Sequence, residues 1–285
     1  MLVLLTGARG QLGTDVVAAA AKISDLELVA IDRNELDITN QAATLALVRD
    51  VSPDVIIHGA AYTAVDDCES NEEAAYDVNA NGTGNVVTAA AEVGARVIYV
   101  STDYVFDGTK ESPYTEDDTP NPASVYGASK LAGEQHVQTL GDDGLIVRTS
   151  WVCGVNGANM VKTIMRAAEN YPQLTFVDDQ IGKPTFTSDL AETLLMLAGR
   201  QDHGVMHVTN EGEVSWFEFC QDVLEMMGRE RSQVVACATH ELQPPRPAPR
   251  PANSVLANTR FADLGIPLLR DFKEPLRETV NSLIA

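Results

Sequence analysis

The sequence has few basic residues and no long apolar run. It contains 20 lysine and arginine residues against 41 aspartate and glutamate residues in a length of 285, which gives a formal net charge of −21. So negative a protein repels nucleic acid and anionic membrane, and neither is expected as a partner. No run approaches the roughly 20 apolar residues of a transmembrane helix, and the N-terminus has no basic leader, so we expect a cytoplasmic protein.

Cysteine is also scarce. The sequence has 4 cysteines, and their spacing matches neither a disulfide framework nor a zinc site. Cys68, Cys153, Cys220 and Cys237 are therefore expected to be reduced and to pack as small apolar side chains. Disorder is excluded as well, because 45% of the residues are hydrophobic.

Short β-rich apolar runs alternate with Ala-rich helical patterns through the first half of the chain. Such alternation is typical of βαβ units, and the unbroken apolarity of the runs indicates parallel strands covered on both faces. The sequence therefore predicts an α/β fold with a Rossmann-type doubly wound parallel sheet. The predicted strands lie at 2–5, 28–31, 55–57, 97–100 and 145–147, with helices at 11–22 and 74–93 among them.

The regular alternation of strand and helix patterns in the sequence becomes less clear after about residue 150. We expect residues 1–150 to form the sheet domain, and residues 151–285 to form mainly a smaller C-terminal substrate-binding lobe, with some segments returning to the first domain. The proline-rich segment 244–251 lies in the second half, and helical periodicity resumes near Phe272. We therefore expect 244–251 to be an ordered loop that closes over a site, not a disordered linker.

A glycine-rich turn directly follows the first predicted strand. Gly7, Gly10 and Gly13 form a Gly-x-x-Gly-x-x-Gly pattern that opens a predicted helix. Gly7 permits the tight turn, Gly10 lets the backbone approach a pyrophosphate, and Gly13 lets the helix pack on the strand. In this strand-turn-helix context, the pattern predicts that residues 1–150 bind a nicotinamide dinucleotide.

The residues after the second predicted strand leave the choice of dinucleotide open. Asp32 suits the ribose hydroxyls of NAD, whereas the adjacent Arg33 can pair with the 2′-phosphate of NADP. Asp37 either lines the adenine pocket or caps a helix that begins near Thr39. The predicted cofactor is therefore NADPH or NADH.

Two further polar residues follow the third predicted strand and the helix after it. His58 has no visible partner for a metal or a catalytic relay, so we expect it to be structural. Asn79 either braces the active-site backbone or faces solvent.

Tyr126 and Lys130 carry the sharpest chemical signal. They lie one helical turn apart, downstream of Thr102 at the end of the fourth predicted strand. A buried Lys130 ammonium would stabilise tyrosinate and lower the pKa of Tyr126 toward working pH. Such a tyrosine donates a proton to a carbonyl oxygen as hydride reaches the carbon. Together with the glycine turn, this pattern predicts a nicotinamide-dependent carbonyl reductase.

With these motifs, the chain resembles the extended short-chain dehydrogenase/reductase superfamily and, within it, the dTDP-4-dehydrorhamnose reductase family. The likeness spans nearly the whole chain and rests on the segments TGARGQLG, AAYTAVDDCE, STDYVFDG, YGASK, RTSWV, DQIGKPT with SDLA, and RPANSVL. It implies reduction of the C4 keto group of dTDP-4-dehydro-β-L-rhamnose to dTDP-β-L-rhamnose, the final step of dTDP-L-rhamnose biosynthesis for surface polysaccharide. The implied partner is a small nucleotide sugar, and a homodimer is left open.

The resemblance also implies roles for individual residues. Tyr126 would be the general acid, Lys130 would bind the nicotinamide ribose and tune Tyr126, and Thr102 would hydrogen-bond the sugar carbonyl. Cofactor contacts would fall on Gly7, Arg9, Gly10, Gln11, Leu12, Asp32, Arg33, Asp37, Ala60, Ala61, Tyr62, Asn79, Tyr126 and Lys130. Substrate contacts would fall on Val65, Thr102, Asp103, Tyr104, Trp151 and Arg250.

The sequence departs from the family pattern at one position. Cys153 stands where an aromatic residue is expected after RTSWV, which affects substrate fit and not the reaction. Some family members place acidic residues at a metal-linked dimer contact. The candidates here, Asp15 and Glu192, are expected to be solvated, and no metal is predicted.

Two other functions are compatible with the sequence. The first is another nucleotide-sugar enzyme, a reductase or an epimerase. A sugar dehydratase is disfavoured, because dehydratases follow the strand-end threonine with Asp-Glu, whereas this chain has Asp103 and Tyr104. The second is a non-catalytic nucleotide-binding regulatory subunit that resembles that of methionine adenosyltransferase. The intact Thr102, Tyr126 and Lys130 argue against it.

Overall fold

The structure, a computed structural model, describes residues 1–285. Its strands are β1 (Leu2–Thr6), β2 (Glu27–Ile31), β3 (Val55–His58), β4 (Arg96–Thr102), β5 (Gly144–Thr149), β6 (Val152–Cys153), β7 (Leu174–Val177), β8 (Ile181–Gly182), β9 (Thr185–Phe186), β10 (Gly204–His207), β11 (Val214–Ser215) and β12 (Val234–Cys237). Its α-helices are α1 (Gln11–Ala20), α2 (Gln41–Val51), α3 (Val65–Cys68), α4 (Glu72–Tyr76), α5 (Thr83–Val93), α6 (Val125–Gln138), α7 (Met160–Asn170), α8 (Thr187–Ala198), α9 (Trp216–Met226), α10 (Thr259–Asp263) and α11 (Lys273–Ile284).

The central sheet has six strands in the order β10-β5-β4-β3-β1-β2, and all of its pairs are parallel. Every predicted strand run lies in this sheet. The direction of the strand order reverses between β1 and β3, and doubly wound sheets bind ligands outside the carboxyl ends of the strands at such a switch point. The predicted fold class is therefore confirmed.

Apolar side chains cover both faces of the sheet. Because successive strand side chains point to opposite faces, the neighbours Val3 and Leu4 enter different cores. Val3 packs in one cluster with Val16 of α1 and Leu194 of α8, whereas Leu4 packs in another with Val86 of α5. This double cover explains why the strands are apolar throughout their length.

The second half of the chain contributes to the sheet and also builds a separate cluster. α8 packs on α1, and β10 adds the last strand beside β5. The remaining elements surround a third core that contains Ile164, Phe219 and Leu276 of α7, α9 and α11. Three two-stranded sheets complete this lobe, namely β11-β8, β12-β7 and β6-β9.

Helix boundaries differ from the prediction in the first half. The expected helix at 74–93 is divided by a π-helical turn, Asp77–Gly82, between α4 and α5. The helix expected near Thr39 begins at Gln41, because the side chain of Asn40 caps it by accepting the N–H of Ala43. Asp37 does not cap that helix. Its carboxylate accepts hydrogen bonds from the backbone and the hydroxyl of Thr39.

The proline-rich segment 244–251 is an ordered loop, as predicted. Ala248 is buried, and its N–H donates to Asp66 in the first half of the chain. Arg250 is held against the same carboxylate. The loop therefore contacts the segment that follows β3.

All of the cysteines are free thiols, and Cys68, Cys153 and Cys220 are buried while Cys237 is half-buried. Burial raises the pKa of Cys153 and of Cys220 to about 12. These thiols are therefore unreactive packing groups.

None of the helices is both long enough and apolar enough to cross a bilayer.

Candidate active site

A cavity of about 850 Å³ opens at the carboxyl ends of the sheet strands. Its walls are the loops that follow β1, β2, β3, β4 and β5, together with the start of α6. Of the predicted site residues, only Asn79 and Arg250 do not line it. Those that do are Gly7, Arg9, Gly10, Gln11, Leu12, Asp32, Arg33, Asp37, Ala60, Ala61, Tyr62, Val65, Thr102, Asp103, Tyr104, Tyr126, Lys130 and Trp151.

Two positions of the turn after β1 have room only for glycine. Gly7 has a φ of +77°, and a Cβ on Gly7 would lie 2.9 Å from the backbone nitrogen of Ala60. A Cβ on Gly13 would lie 2.2 Å from the carbonyl oxygen of Gly7. α1 begins directly after Gly10 with no side-chain cap, so its first N–H groups remain available to an anion. The turn therefore fits the pyrophosphate of a dinucleotide.

Four charged groups lie where the adenosine end of a dinucleotide is expected. Arg9 Nε lies 2.7 Å from Asp32 Oδ2, so one carboxylate oxygen is already paired. The Arg33 side chain is 86% exposed, and its nearest acidic partner, Asp37, is 4.0 Å away. The pairing between Arg9 and Asp32 was not predicted, because it joins two different loops.

Asn79 braces the cavity wall without lining it. Its side-chain oxygen accepts the N–H of Tyr62 at 2.8 Å, and its amide donates to the carbonyl of Tyr62 at 3.1 Å and to the hydroxyl of Ser129 at 3.0 Å. The residue is fully buried inside the π-helical turn. Of the two alternatives, bracing the backbone is therefore the one observed.

His58 is enclosed by the core. Its ring nitrogens lie 2.7 Å from the Thr6 hydroxyl and 3.1 Å from the Thr83 hydroxyl. Burial, with a smaller effect from the Lys130 charge, lowers the pKa of His58 to about 3. The imidazole is neutral and fully engaged, which is the structural role that the sequence predicted.

Lys130 lies on α6 and points under the end of β4. Its ammonium donates to the carbonyl of Val100 at 2.8 Å and lies 4.0 Å from the centroid of the Tyr99 ring. Burial lowers the pKa of Lys130 to about 7, and the nearby Glu134 carboxylate opposes that shift.

The pKa of Tyr126 is raised above its ordinary value, not lowered as the sequence suggested. Burial is the main cause, and hydrogen bonding with the Thr102 hydroxyl opposes it only in part. The expected stabilisation by Lys130 is not seen, because the ammonium is directed at Val100 and Tyr99. The phenol is therefore protonated at neutral pH, as a proton donor must be.

Asp103 is a buried carboxyl group beside Thr102. The Thr102 hydroxyl donates to its Oδ1 at 3.0 Å, whereas Oδ2 is buried without a hydrogen-bond partner. Burial raises the pKa of Asp103 to about 7. The sequence identified Asp103 only as a substrate contact and gave no sign of this environment.

Trp151 has one face covered by a second tryptophan. Its ring stacks on Trp216 with centroids 3.6 Å apart and planes inclined by 4°. Its indole N–H donates to the Ser254 hydroxyl at 3.2 Å, and its φ is +47°, a left-handed conformation that is rare for a bulky residue. The sequence did not single out Trp216, whose role depends on a contact between distant segments.

Arg250 lies beside the cavity and is already paired. Its guanidinium donates to Asp66 at 2.9 Å and to the carbonyl of Ala248 at 2.9 Å. The guanidinium carbon is 5.9 Å from the centroid of the Tyr104 ring, which does line the cavity. A direct contact with a diphosphate would require Arg250 to leave Asp66.

A buried ion pair behind the site was missed by sequence reasoning. Glu134 accepts two hydrogen bonds from Arg148, at 2.9 and 2.7 Å, and one from the Ser101 hydroxyl at 2.5 Å. Both charged side chains are almost fully buried. The available signal was spacing, because Tyr126, Lys130 and Glu134 succeed one another at intervals of one helical turn.

Comparison with known proteins places this site in a family. The family described as RmlD substrate binding domain matches residues 1–284. A dTDP-4-dehydrorhamnose reductase of Mycobacterium tuberculosis is 42% identical over 279 residues, which are 96% of this chain and 90% of the relative.

Solved structures agree with this assignment. A dTDP-4-dehydrorhamnose reductase of Clostridium acetobutylicum has 40% identity and a TM-score of 0.95, with 100% of both chains covered. One of Bacillus anthracis, in complex with NADP, has 36% identity and a TM-score of 0.93, with 99% of both chains covered. The chain therefore belongs to the family described as RmlD substrate binding domain, together with these reductases.

Proposed function

We propose that the protein is a dTDP-4-dehydrorhamnose reductase, which reduces the C4 ketone of dTDP-4-dehydro-β-L-rhamnose with NADPH or NADH to give dTDP-β-L-rhamnose. The observation that carries this proposal is that Thr102, Tyr126 and Lys130 line the same cavity as the glycine turn at Gly7. The names of the relatives support the choice of nucleotide sugar.

Different residues of the cavity would have different roles in a ketone reduction. The glycine turn and the first N–H groups of α1 would hold the dinucleotide, whose nicotinamide supplies the hydride when bound. The Thr102 hydroxyl would hold the sugar carbonyl, and Tyr126 would give its proton to that oxygen. Because burial raises the pKa of Tyr126, the phenol carries its proton until the carbonyl oxygen becomes basic. Lys130 would add positive charge beneath the nicotinamide ribose.

The direct test combines purified protein with enzymatically prepared dTDP-4-dehydrorhamnose and either NADPH or NADH. We expect oxidation of the dinucleotide and formation of dTDP-rhamnose, identified by mass spectrometry and NMR. If neither dinucleotide is oxidised although both bind, the reaction must use another nucleotide sugar, or the chain must be a regulatory subunit.

Replacing Arg33 by alanine is expected to lower the affinity for NADPH about tenfold more than the affinity for NADH. An exposed guanidinium can pair with the 2′-phosphate that only NADPH carries, and Asp32 is already paired with Arg9. Titration of both dinucleotides by fluorescence measures the two dissociation constants. Arg166→Ala, on the exposed side of α7, is the matched control. An equal loss for both dinucleotides would contradict this role for Arg33.

Replacing Gly13 by alanine is expected to weaken binding of both dinucleotides by at least about tenfold. The new Cβ would lie 2.2 Å from the carbonyl oxygen of Gly7, so the turn must open and lose its fit to the pyrophosphate. Gly199→Ala is the control, since its Cβ would meet nothing nearer than 3.5 Å. Unchanged dissociation constants for Gly13→Ala would show that the turn is not the pyrophosphate site.

The proposal also includes a cytoplasmic location, which the sequence predicts because it has no long apolar run, and it leaves a homodimer open. Cell fractionation and light scattering on the purified protein test them.

A further inference from the structure

Trp151 is held in a conformation that its own backbone does not favour. Its φ of +47° lies in the left-handed region, and such a conformation persists only where the surrounding structure over-determines it. Trp151 lines the cavity two residues beyond Thr149, which pairs with the strand-end Thr102 in the register of β4 and β5. The groups that fix the Trp151 ring therefore shape the cavity next to the proposed ketone site.

Three groups from distant segments contact the indole of Trp151. Trp216 stacks on one face, with ring centroids 3.6 Å apart and planes inclined by 4°. The Ser254 hydroxyl accepts the indole N–H at 3.2 Å. A Cβ on Gly182 would lie 2.5 Å from Cε2 of the indole, so only a residue without a side chain fits there. One face and the nitrogen of the ring are thus occupied before any ligand binds.

A short antiparallel sheet fixes these three groups relative to one another. β8 contains Gly182 and its neighbour Ile181, whose carbonyl accepts the N–H of Ser254 at 2.8 Å. β11 pairs with β8 so that Ser215 lies opposite Ile181, and Trp216 follows Ser215 as the first residue of α9. The side chain of Ser215 also caps α9, which fixes where that helix begins.

Trp216 is anchored behind the stack in the core of the second lobe. Its ring meets Phe219 edge-on, with centroids 5.7 Å apart, and Phe219 lies 6.1 Å from Phe272. Both phenylalanines are buried. Trp216 is not among the residues that line the cavity. It can therefore act on a ligand only through Trp151.

We propose that Trp216 is a positioning residue for the nucleotide sugar, because it holds the Trp151 indole as a fixed wall against which the sugar ring packs. A flat apolar surface suits the C–H groups on the face of a sugar ring. Because the indole is fixed before the sugar binds, binding does not have to order it. This inference rests on the proposed function and deepens it, since it names what sets the shape of the sugar site.

The first test is Trp216→Leu, which removes the stacked ring and keeps an apolar side chain. We expect KM for dTDP-4-dehydrorhamnose to rise by about tenfold, the contribution of an aromatic pair. We expect little change in kcat, because Thr102 and Tyr126 are untouched, and an unchanged dissociation constant for NADPH. Trp216→Phe restores an aromatic surface and should recover most of the loss. An unchanged KM in Trp216→Leu would overturn the proposal.

Phe217→Leu is the matched control for this test. Phe217 adjoins Trp216 on α9, is half-buried and packs against the same core. It makes no aromatic stack with Trp151, so its replacement should leave KM for the sugar at the wild-type value. An equal rise of KM in Phe217→Leu would show a general loosening of the lobe and would count against a specific role for Trp216.

A double-variant cycle tests whether Trp216 acts through Trp151. Adding Trp216→Leu to Trp151→Ala should raise KM no further, because the ring that Trp216 holds is already absent. Gly182→Ala provides a second cycle, since its new Cβ would displace the indole in the wild type and meet open space in Trp151→Ala. Additive effects in both cycles would contradict the proposed route.

A further measurement needs neither turnover nor ligand. The chain has 2 tryptophans, so Trp216→Phe and Trp216→Leu each leave Trp151 as the sole fluorophore. We expect acrylamide to quench Trp151 more strongly in Trp216→Leu than in Trp216→Phe, and its emission to shift to longer wavelength, because one ring face is uncovered. Equal quenching in the two variants would show that Trp216 does not hold the indole.

The measurements also separate this inference from the proposed function. Absence of ketone reduction in the wild type, together with the expected difference in quenching, would count against the proposed substrate. Normal reduction with equal quenching in the two variants would count against the positioning role alone.

Discussion

Replacing Tyr126 by phenylalanine is expected to lower kcat by about 10²- to 10⁴-fold, the contribution of a positioned general acid. The change removes one oxygen and leaves the ring in place, packed edge-on against Tyr104 with centroids 5.5 Å apart. The phenol is protonated at neutral pH because burial raises its pKa, so the variant loses a proton donor that the wild type has throughout the neutral range. Steady-state kinetics with saturating dinucleotide and sugar measure the effect.

Two controls decide what a loss of activity in Tyr126→Phe means. Its melting temperature should be close to that of the wild type, because the change keeps the ring that packs against Tyr104 and removes a single oxygen. Its dissociation constants for NADPH and NADH have to be measured alongside kcat, since Tyr126 is also an expected cofactor contact. Retention of wild-type kcat in a properly folded variant would remove Tyr126 as the acid and would require another proton donor among the cavity residues, such as Tyr104 or Lys130.

Replacing Glu134 by alanine is expected to reduce the free energy of unfolding by about 3–5 kcal/mol. Glu134 accepts three hydrogen bonds, two of them from Arg148. Without this carboxylate, a guanidinium whose Nη1 already has no partner would be left as an uncompensated buried charge. Urea denaturation, followed by circular dichroism, measures the change.

The source of this cost can be tested with two further variants. Glu92→Gln breaks the pair of Arg49 with Glu92, whose side chains are 58% and 39% exposed, and should cost no more than about 1 kcal/mol. Adding Arg148→Met to Glu134→Ala should recover much of the lost stability, because it removes the unpaired charge. If the double variant is as unstable as the sum of both single variants, packing and not charge explains the effect.

The sequence predicted the strands whose apolarity is a local property. The runs at 2–5 and 55–57 became β1 and β3 because buried parallel strands must be apolar on both faces. β10 was not predicted, since a four-residue strand owes its existence to pairing with β5, which is distant in the chain. The π-helical turn between α4 and α5 was hidden for a similar reason, because the buried contacts of Asn79 with Tyr62 and Ser129 do not show in a helical pattern.

In the candidate site, too, the sequence predicted local features but not the contacts between distant segments. Gly7 and Gly13 could be identified because the turn itself demands glycine, and Tyr126 with Lys130 because helical spacing puts them on one face. The partners of each side chain come from other segments, so their effects could not be predicted. Lys130 was expected to lower the pKa of Tyr126, but it is engaged by the carbonyl of Val100.

The position of β10 also bears on how the chain folds as it leaves the ribosome. β5 emerges first with all six residues destined for burial, yet its outer neighbour is made of Gly204–His207. Until those residues are synthesised, β5 is an open, apolar edge that can pair with the same strand of another nascent chain. Translation that pauses or stops between the two strands would therefore yield a species prone to aggregate, although it already contains the entire glycine turn and all of α6.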